Sequence, residues 1–312
     1  MFITGFGGPE VFEEREVAKP VPGPTEVLVK VYASSINPVD YKIRQAGSWA
    51  GVKPPAIIGY DVAGIIEAIG PGVKDFKVGD EVYYTPQISG AAGSYAEYHV
   101  ADESIVAIKP SNISFEEAAS IPLAGGTAWD ALITRMRLEV GETALIHAGA
   151  GGVGSLAVQI AKAAGAKVFA TANGKNAELV KSLGADRVID YKTENFEEVV
   201  RTETGGRGVD LAFDTVGGDT LSRSLNVIRP FGRAASVVNA TDLNAAYFKN
   251  ITVHFVFLQR ERYKLDHLRV LIERGQLKPV VDSVLPLNQV AEAHRKVEQG
   301  GVRGKVVLHV AG

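Results

Sequence analysis

Gly149-Ala150-Gly151-Gly152-Val153-Gly154 follows the short apolar run Thr143-Ala144-Leu145-Ile146-His147-Ala148 and opens a long apolar-periodic stretch. A strand, a Gly-x-Gly-x-x-Gly turn and a helix in that order can hold a dinucleotide pyrophosphate over the helix N-terminus. Unpaired backbone N–H groups and the positive end of the helix dipole attract it there. The glycine spacing alone also fits a tight turn with no ligand. The strand before it and the helix after it are the context that ligand binding requires. The chain is therefore read as nucleotide-binding.

Sheets that bind NAD usually place an Asp or Glu at the end of the second strand, where it accepts a hydrogen bond from the ribose 2′-hydroxyl. The corresponding stretch here is Thr171-Ala172-Asn173-Gly174-Lys175-Asn176, which holds no acid. A carboxylate would repel the 2′-phosphate of NADP, whereas Lys175 can pair with that phosphate and Asn173 can donate to it. Lys175 is otherwise a solvated loop cation. The missing acid argues more strongly than the lysine, and the expected cofactor is NADPH.

The elements that must position these residues follow from composition and periodicity. The 312 residues suffice for two domains, and 46% hydrophobic with 22% charged residues is ordinary for a soluble globular chain. Net charge is −3 with no long basic run, so neither nucleic acid nor an anionic membrane is an expected partner. Met1–Glu10 lacks the basic and apolar regions of a secretory leader, and a cytoplasmic address is expected. The apolar stretch 156–170 carries Gln159, Lys162 and Lys167, so it reads as a buried helix and strand and not as a membrane span. Zero cysteines exclude disulfides, thiolate catalysis and cysteine-ligated metals.

Before about residue 115 the texture is one of short strands and turns: 27–32, 62–69 and 81–84 read as strands between Pro and Gly clusters. Ser114-Phe115-Glu116-Glu117 has the form of a capping box, with Ser114 as N-cap and Glu117 at N3. After it, apolar runs at 167–171, 187–190, 209–214, 234–238 and 251–256 alternate with helical patterns. That alternation specifies a parallel, doubly wound α/β sheet. Helices at 263–274 and 289–297 and a last strand at 305–310 close the chain.

The order of parts resembles the medium-chain dehydrogenase/reductase superfamily, in the zinc-free quinone oxidoreductase branch that includes zeta-crystallin and the 2-alkenal reductases. The matching residues run through nearly the whole chain. They include Phe6-Gly7-Gly8-Pro9-Glu10-Val11, Ser35-Ile36-Asn37-Pro38-Val39-Asp40, Ile58-Gly59-Tyr60-Asp61, Gly93-Ser94-Tyr95-Ala96-Glu97-Tyr98 and Pro122-Leu123-Ala124-Gly125-Gly126-Thr127-Ala128-Trp129. The glycine loop, Val188-Ile189-Asp190-Tyr191, Asp214-Thr215-Val216-Gly217-Gly218 and Arg303-Gly304-Lys305-Val306-Val307 complete the set. The resemblance implies a mostly β, GroES-like catalytic domain over 1–120, completed by 261–312. It also implies a Rossmann domain with a doubly wound six-stranded parallel sheet over 121–260.

The zinc alcohol dehydrogenases of this superfamily have Cys at the position of Asn37 and Gly-His-Glu at that of Gly59-Tyr60-Asp61. Both changes remove ligands that a catalytic zinc requires, and the six histidines show no metal-ligand spacing. The metal expectation is none. Without a Lewis acid, alcohol oxidation fits poorly. Hydride transfer from NADPH to a quinone or to the β-carbon of an α,β-unsaturated carbonyl fits better, with charge developing on the carbonyl oxygen in a cleft between the domains.

Candidate donors to that oxygen are Asn37, which is equally readable as a structural turn residue, and Tyr60, which either donates or lines the cleft. Tyr41 and Lys42 follow the same turn, Lys42 being also readable as a solvated cation. Trp49 reads as an aromatic wall of the substrate pocket. For the cofactor, the resemblance implies backbone contacts from Ala150 to Val153 within Gly149–Gly154. It further implies contacts from Thr127, Tyr191, Gly217, Gly218, Val237, Val238 and Phe255-Val256-Phe257, with Arg303 or Lys305 at the phosphate or active-site rim. Strand 253–258 at the sheet edge would join a twofold mate, giving a homodimer. Two other readings stay open: an enoyl-thioester reductase on the same fold, and a nucleotide-binding protein with a structural or regulatory role.

Overall fold

The computed structural model describes residues 1–90, 92–238 and 242–311. By contact density the chain divides into one unit made of Met1–Ala124, Arg260–Glu273 and Pro279–Gly312, and a second made of Gly125–Gln259 and Arg274–Lys278.

The first unit is mostly β. Strands β1 (Phe2–Ile3) and β2 (Phe12–Glu13) open it, followed by β3 (Glu26–Ser35), α1 (Pro38–Ala46), β4 (Ala56–Ile57) and β5 (Val62–Ile69). Then come β6 (Glu81–Tyr84), β7 (Tyr98–Asp102), β8 (Ala107–Ile108) and α2 (Phe115–Ala119). The last two strands of this unit's larger sheet, β15 (Val281–Pro286) and β16 (Lys305–His309), come from the chain's end. That sheet runs β15-β16-β3-β5-β6-β8, with β7 also on β3; β2-β1-β4 form a small second sheet. Strand β3 is central: seven of its ten residues are buried, all of them apolar or small, which suits a strand paired on both edges. The capping box is formed: Glu117 N–H donates to Ser114 Oγ at 3.1 Å, and Ser114 N–H to a Glu117 carboxylate oxygen at 2.9 Å.

Asn37-Pro38 differs from the turn expected there. Asn37 is the N-cap of the nine-residue helix α1, with Pro38 in its first turn and Asp40 accepting the N-cap N–H at 2.7 Å. The residue types that mark a turn also mark a helix start, and local spacing alone does not separate them.

The second unit alternates strand and helix. Helix α3 (Pro122–Trp129) runs on into a π-helical turn at Asp130–Arg135 and leads to β9 (Thr143–Ile146), α4 (Gly152–Ala163), β10 (Lys167–Ala172), α5 (Ala177–Ser182) and β11 (Arg187–Asp190). Then follow α6 (Phe196–Glu203), β12 (Val209–Asp214), α7 (Thr220–Leu225), β13 (Ile228–Ser236), α8 (Asn244–Lys249) and β14 (Thr252–Phe255). The strand expected at 234–238 starts earlier and ends at Ser236. All six strands are parallel, in the order β11-β10-β9-β12-β13-β14. Strands β9 and β12 are buried along their whole length, as a sheet with helices on both faces demands. Their core continues through Phe169, Leu221 and Leu225. The chain then returns to the first unit with α9 (Arg262–Glu273), β15 (Val281–Pro286), α10 (Val290–Gln299) and β16 (Lys305–His309). No helix of the described residues is long and apolar enough to cross a membrane.

Candidate active site

Strand order reverses between β9 and β12, so the loops leaving the carboxyl ends of those neighbours diverge and open a crevice between them. The glycine loop leaves β9 at that point. Gly151 is the N-cap of the 12-residue α4, in extended backbone, with no side chain capping it. Helix geometry leaves the N–H groups of Gly152, Val153 and Gly154 without intrahelical acceptors, aimed along the dipole axis. A Cβ on Gly154 would lie 2.0 Å from the Ala148 carbonyl oxygen, and one on Gly149 would lie 3.0 Å from the Ala170 and Val180 side chains. The loop is thus folded tightly enough that position 154 requires glycine. Its donors, dipole and shape fit the pyrophosphate of a dinucleotide.

The other expected cofactor contacts of this unit stand mainly at strand ends along the same sheet edge. Asn173 and Lys175 follow β10. The Asn173 side chain accepts the Lys175 N–H at 3.2 Å, and the exposed Lys175 ammonium makes no ion pair among the described residues. Tyr191 follows β11 and is 58% exposed. Gly217 and Gly218 follow β12 with φ of 91° and 65°, values that glycine tolerates without strain. Val237 and Val238 follow β13, and Phe255 ends β14 with Phe257 just beyond it. Thr127 is buried on α3.

One residue that organises this edge was not foreseen. Asp214, buried at the end of β12, accepts the Val216 and Gly217 N–H groups at 2.8 and 3.0 Å and the Ser236 hydroxyl at 3.0 Å. It ties the loops after β12 and β13 together. Its signals in the sequence were an acid closing the strand and its place at the head of the matching Asp214–Gly218 run. A second acid, Asp190 of β11, places Oδ2 where a Cβ on Gly174 would come within 2.4 Å. The loop after β10 has no acid of its own, yet a carboxylate from the next strand stands beside it. His147 is a satisfied core histidine between Thr171 and Ser224, and burial draws its pKa down to about 4.

In the first unit, the start of α1 anchors a buried polar cluster. The Asn37 side chain donates from Nδ2 to Asp61 Oδ2 at 2.7 Å, while its Oδ1 accepts from Lys305 Nζ. Asp61 also accepts the Ser35 hydroxyl at 2.6 Å and the Leu123 N–H at 2.8 Å. Asn37, Asp61 and Lys305 are 1%, 0% and 4% exposed. A carboxylate with this many donors is satisfied in place, as burial of a charge requires.

A second chain reaches the same turn from the other side. Arg44 donates to His294 Nδ1 at 3.0 Å, His294 Nε2 meets the Tyr95 hydroxyl at 3.1 Å, and that hydroxyl donates to Asp40 Oδ2 at 2.9 Å. Arginine can only donate, so His294 carries its proton on Nε2 and the bonds run one way toward Asp40. Burial holds His294 at a pKa of about 3, with the Arg44 charge adding to the effect. Burial also raises Asp40 to about 7, against the lowering influence of the Asn37 N–H, Lys305 and Tyr95. Asp40 Oδ1 and the Tyr60 hydroxyl have no hydrogen-bond partner among the described residues, and burial raises the Tyr60 phenol.

This geometry corrects three expectations. Asn37 is a buried organiser whose amide is engaged at both ends, not a donor open to substrate. Tyr60 has no accessible surface, so it neither donates to a substrate nor lines a wall. Lys305 is not a rim cation for a cofactor phosphate, because its ammonium is buried against Asn37 and Asp61. Arg303 is exposed, and its backbone N–H donates to Asp282 at 3.0 Å. Tyr41 is partly buried, while Lys42 and Trp49 are exposed. No group of three or more His, Cys, Asp or Glu among the described residues is arranged to hold a metal ion.

Residues 23–111 match the alcohol dehydrogenase GroES-like domain family, and 183–308 match the zinc-binding dehydrogenase family. The NADPH-dependent alkenal/one oxidoreductase of Arabidopsis thaliana chloroplasts is 38% identical over 98% of this chain and 78% of its own length. Human quinone oxidoreductase is 36% identical over 98% of this chain and 96% of its own. Among solved structures, an NAD-dependent alcohol dehydrogenase superposes with a TM-score of 0.93 at 33% identity, covering 99% of both chains. The quinone oxidoreductase of Coxiella burnetii gives 0.91 at 32%, covering 99% of this chain and 98% of its own.

Proposed function

The chain belongs to the medium-chain dehydrogenase/reductase superfamily, in its quinone and alkenal oxidoreductase branch, and from that membership we propose an NADPH-dependent reductase of quinones and α,β-unsaturated carbonyls that works without a metal. The observation that carries this reading is the Gly149–Gly154 loop at the strand-order reversal, with Gly154 packed where no side chain fits. Bound there, NADPH would supply the hydride.

The residues of the chain bind, orient and protonate. The α4 N–H groups hold the pyrophosphate, and the Asp214-tied loops flank it. Lys175, cationic and free of ion pairs among the described residues, takes the 2′-phosphate; without a carboxylate in its own loop, the phosphate meets less repulsion there. Hydride arrival at the β-carbon of an enone drives its π electrons onto the carbonyl oxygen. A proton at the α-carbon then completes the saturated product. Lys42 is exposed and Tyr41 only partly buried on α1, which suits them to stabilise that oxygen and supply the proton.

A catalytic zinc does not suit the donors present. The chain has no cysteine, and the two positions held by ligands in the zinc enzymes carry an engaged amide and a buried phenol. The protein is proposed to be cytoplasmic and homodimeric through β14.

The test follows NADPH absorbance against quinones, 2-alkenals, enoyl thioesters and simple ketones. Oxidation with quinones or alkenals in protein free of zinc by elemental analysis is the expected result. Turnover restricted to enoyl thioesters, or stoichiometric zinc, would overturn the reading.

A further inference from the structure

Every buried or partly buried arginine among the described residues faces a carboxylate, with one exception. Arg44 meets Glu298, Arg187 meets Glu194 and Glu203, and Arg262 meets Asp75. Arg223, Arg229, Arg233 and Arg269 are matched in the same way. Arg260 makes no ion pair among the described residues. Its guanidinium donates to the Gln87 amide oxygen at 3.2 Å, and burial draws its pKa below the ordinary arginine value with no opposing acid. The acids that follow it in sequence are turned elsewhere: Glu261 pairs with Lys264 and Asp266 with Arg262.

Arg260 lines a groove of about 910 Å³ in the first unit, together with Gln87, Gly90, Gly51, Val52 and Lys53. Lys53 is exposed and is likewise without an ion pair among the described residues. The acids that also line the groove are engaged: Glu26 by the Gly23 N–H, Asp102 by the Thr25 hydroxyl and the Ser104 N–H. The Gly90 N–H donates to Ala50 O at 3.0 Å, tying this wall to the turn that carries Trp49. A partly desolvated guanidinium that faces only an amide favours an anion able to take its planar fork.

We propose that this groove holds an anionic group, a carboxylate or a phosphate, carried on the tail of the acceptor, with Arg260 as its bidentate partner and Lys53 as a second cation. The acceptor's reacting end then lies toward Trp49, and its charged end specifies which enones or quinones are preferred. The inference rests on the reading above, in which the unit bearing Trp49 takes the acceptor.

Three enones with the same reacting end test it: one ending in a carboxylate, one in a phosphate, one in the methyl ester of the first. With NADPH saturating, KM for at least one anionic enone should be about tenfold below that of the ester, and the gap should shrink as salt rises. Whichever anion shows the gap identifies the tail chemistry. In Arg260→Gln the gap should close while KM for NADPH and the melting temperature stay unchanged; Arg260→Lys should keep part of it. Equal KM for all three enones in the unaltered enzyme, or a gap that survives in Arg260→Gln with Lys53→Gln, would overturn the proposal. Calorimetric titration with the saturated carboxylate analogue reads the same site without turnover. Failure of the reductase reading therefore shows separately, as anion binding with no acceptor reduced.

Discussion

Asp40 is held against its own chemistry, and the consequence is measurable. Its folded-state pKa of about 7 lies above the ordinary value near 3.8, so between those limits the native state keeps a proton that the unfolded chain has released. Stability therefore falls as pH rises from 4 to 7, by up to about 4 kcal/mol for a shift of about three units. The amide oxygen of Asp40→Asn can still accept from Asn37 N–H and Tyr95. That variant should be more stable than the parent at pH 8 by urea unfolding, with the difference vanishing toward pH 4; a difference independent of pH would refute it. Lys175→Ala should raise KM for NADPH several-fold and leave KM for NADH unchanged in the same absorbance assay, since only the 2′-phosphate requires the cation. Asp190, close behind Gly174, makes the lysine the more necessary.

At the level of elements, the turn from β9 into α4 is the most constrained segment. Gly154→Ala puts a methyl group 2.0 Å from a backbone oxygen, which cannot swing aside as a side chain would. The loop must move, and NADPH affinity by fluorescence titration should drop more than tenfold, with a stability loss of about 1–3 kcal/mol. This element was fully legible, because strand, glycines and helix lie within 21 consecutive residues. Helix α1 was not. Asn37-Pro38 opens a helix, and its first turn is secured by Asp61 and Lys305, far along the chain. The roles of Asn37, Tyr60 and Lys305 were misjudged for the same reason: burial is a property of what folds over a residue, and residue type does not report it.

Across the whole molecule, three buried histidines set an acid limit. His99, His147 and His294 are drawn to about 4, 4 and 3 by burial. Below the ordinary value near 6.5 the unfolded chain takes up protons that these native sites refuse, so stability is full above that pH and is lost as pH falls toward 4. Both units carry such a group, so the melting temperature should fall steeply between pH 6 and 4 for both. Replacement of His147 by Asn should lessen the slope for the second unit. Strand β14 has one edge unpaired among the described residues and exposes Phe255 at 52%. Val253→Asp on that strand should shift sedimentation from dimer to monomer, and a parent already monomeric would refute pairing through it.

Glycine spacing, the period-2 and period-3.6 apolar patterns and the missing cysteines determined the α/β architecture, the nucleotide loop and the absence of thiolate ligands. Those are short-range properties, written in neighbouring residues. The tertiary structure alone decided that Asn37 meets Lys305 across 268 positions, that Asp214 ties two loops, and that Arg260 meets no acid among the described residues. Electrostatics depends on which groups folding brings within a few ångströms and how far it excludes water, and neither follows from local order along the chain.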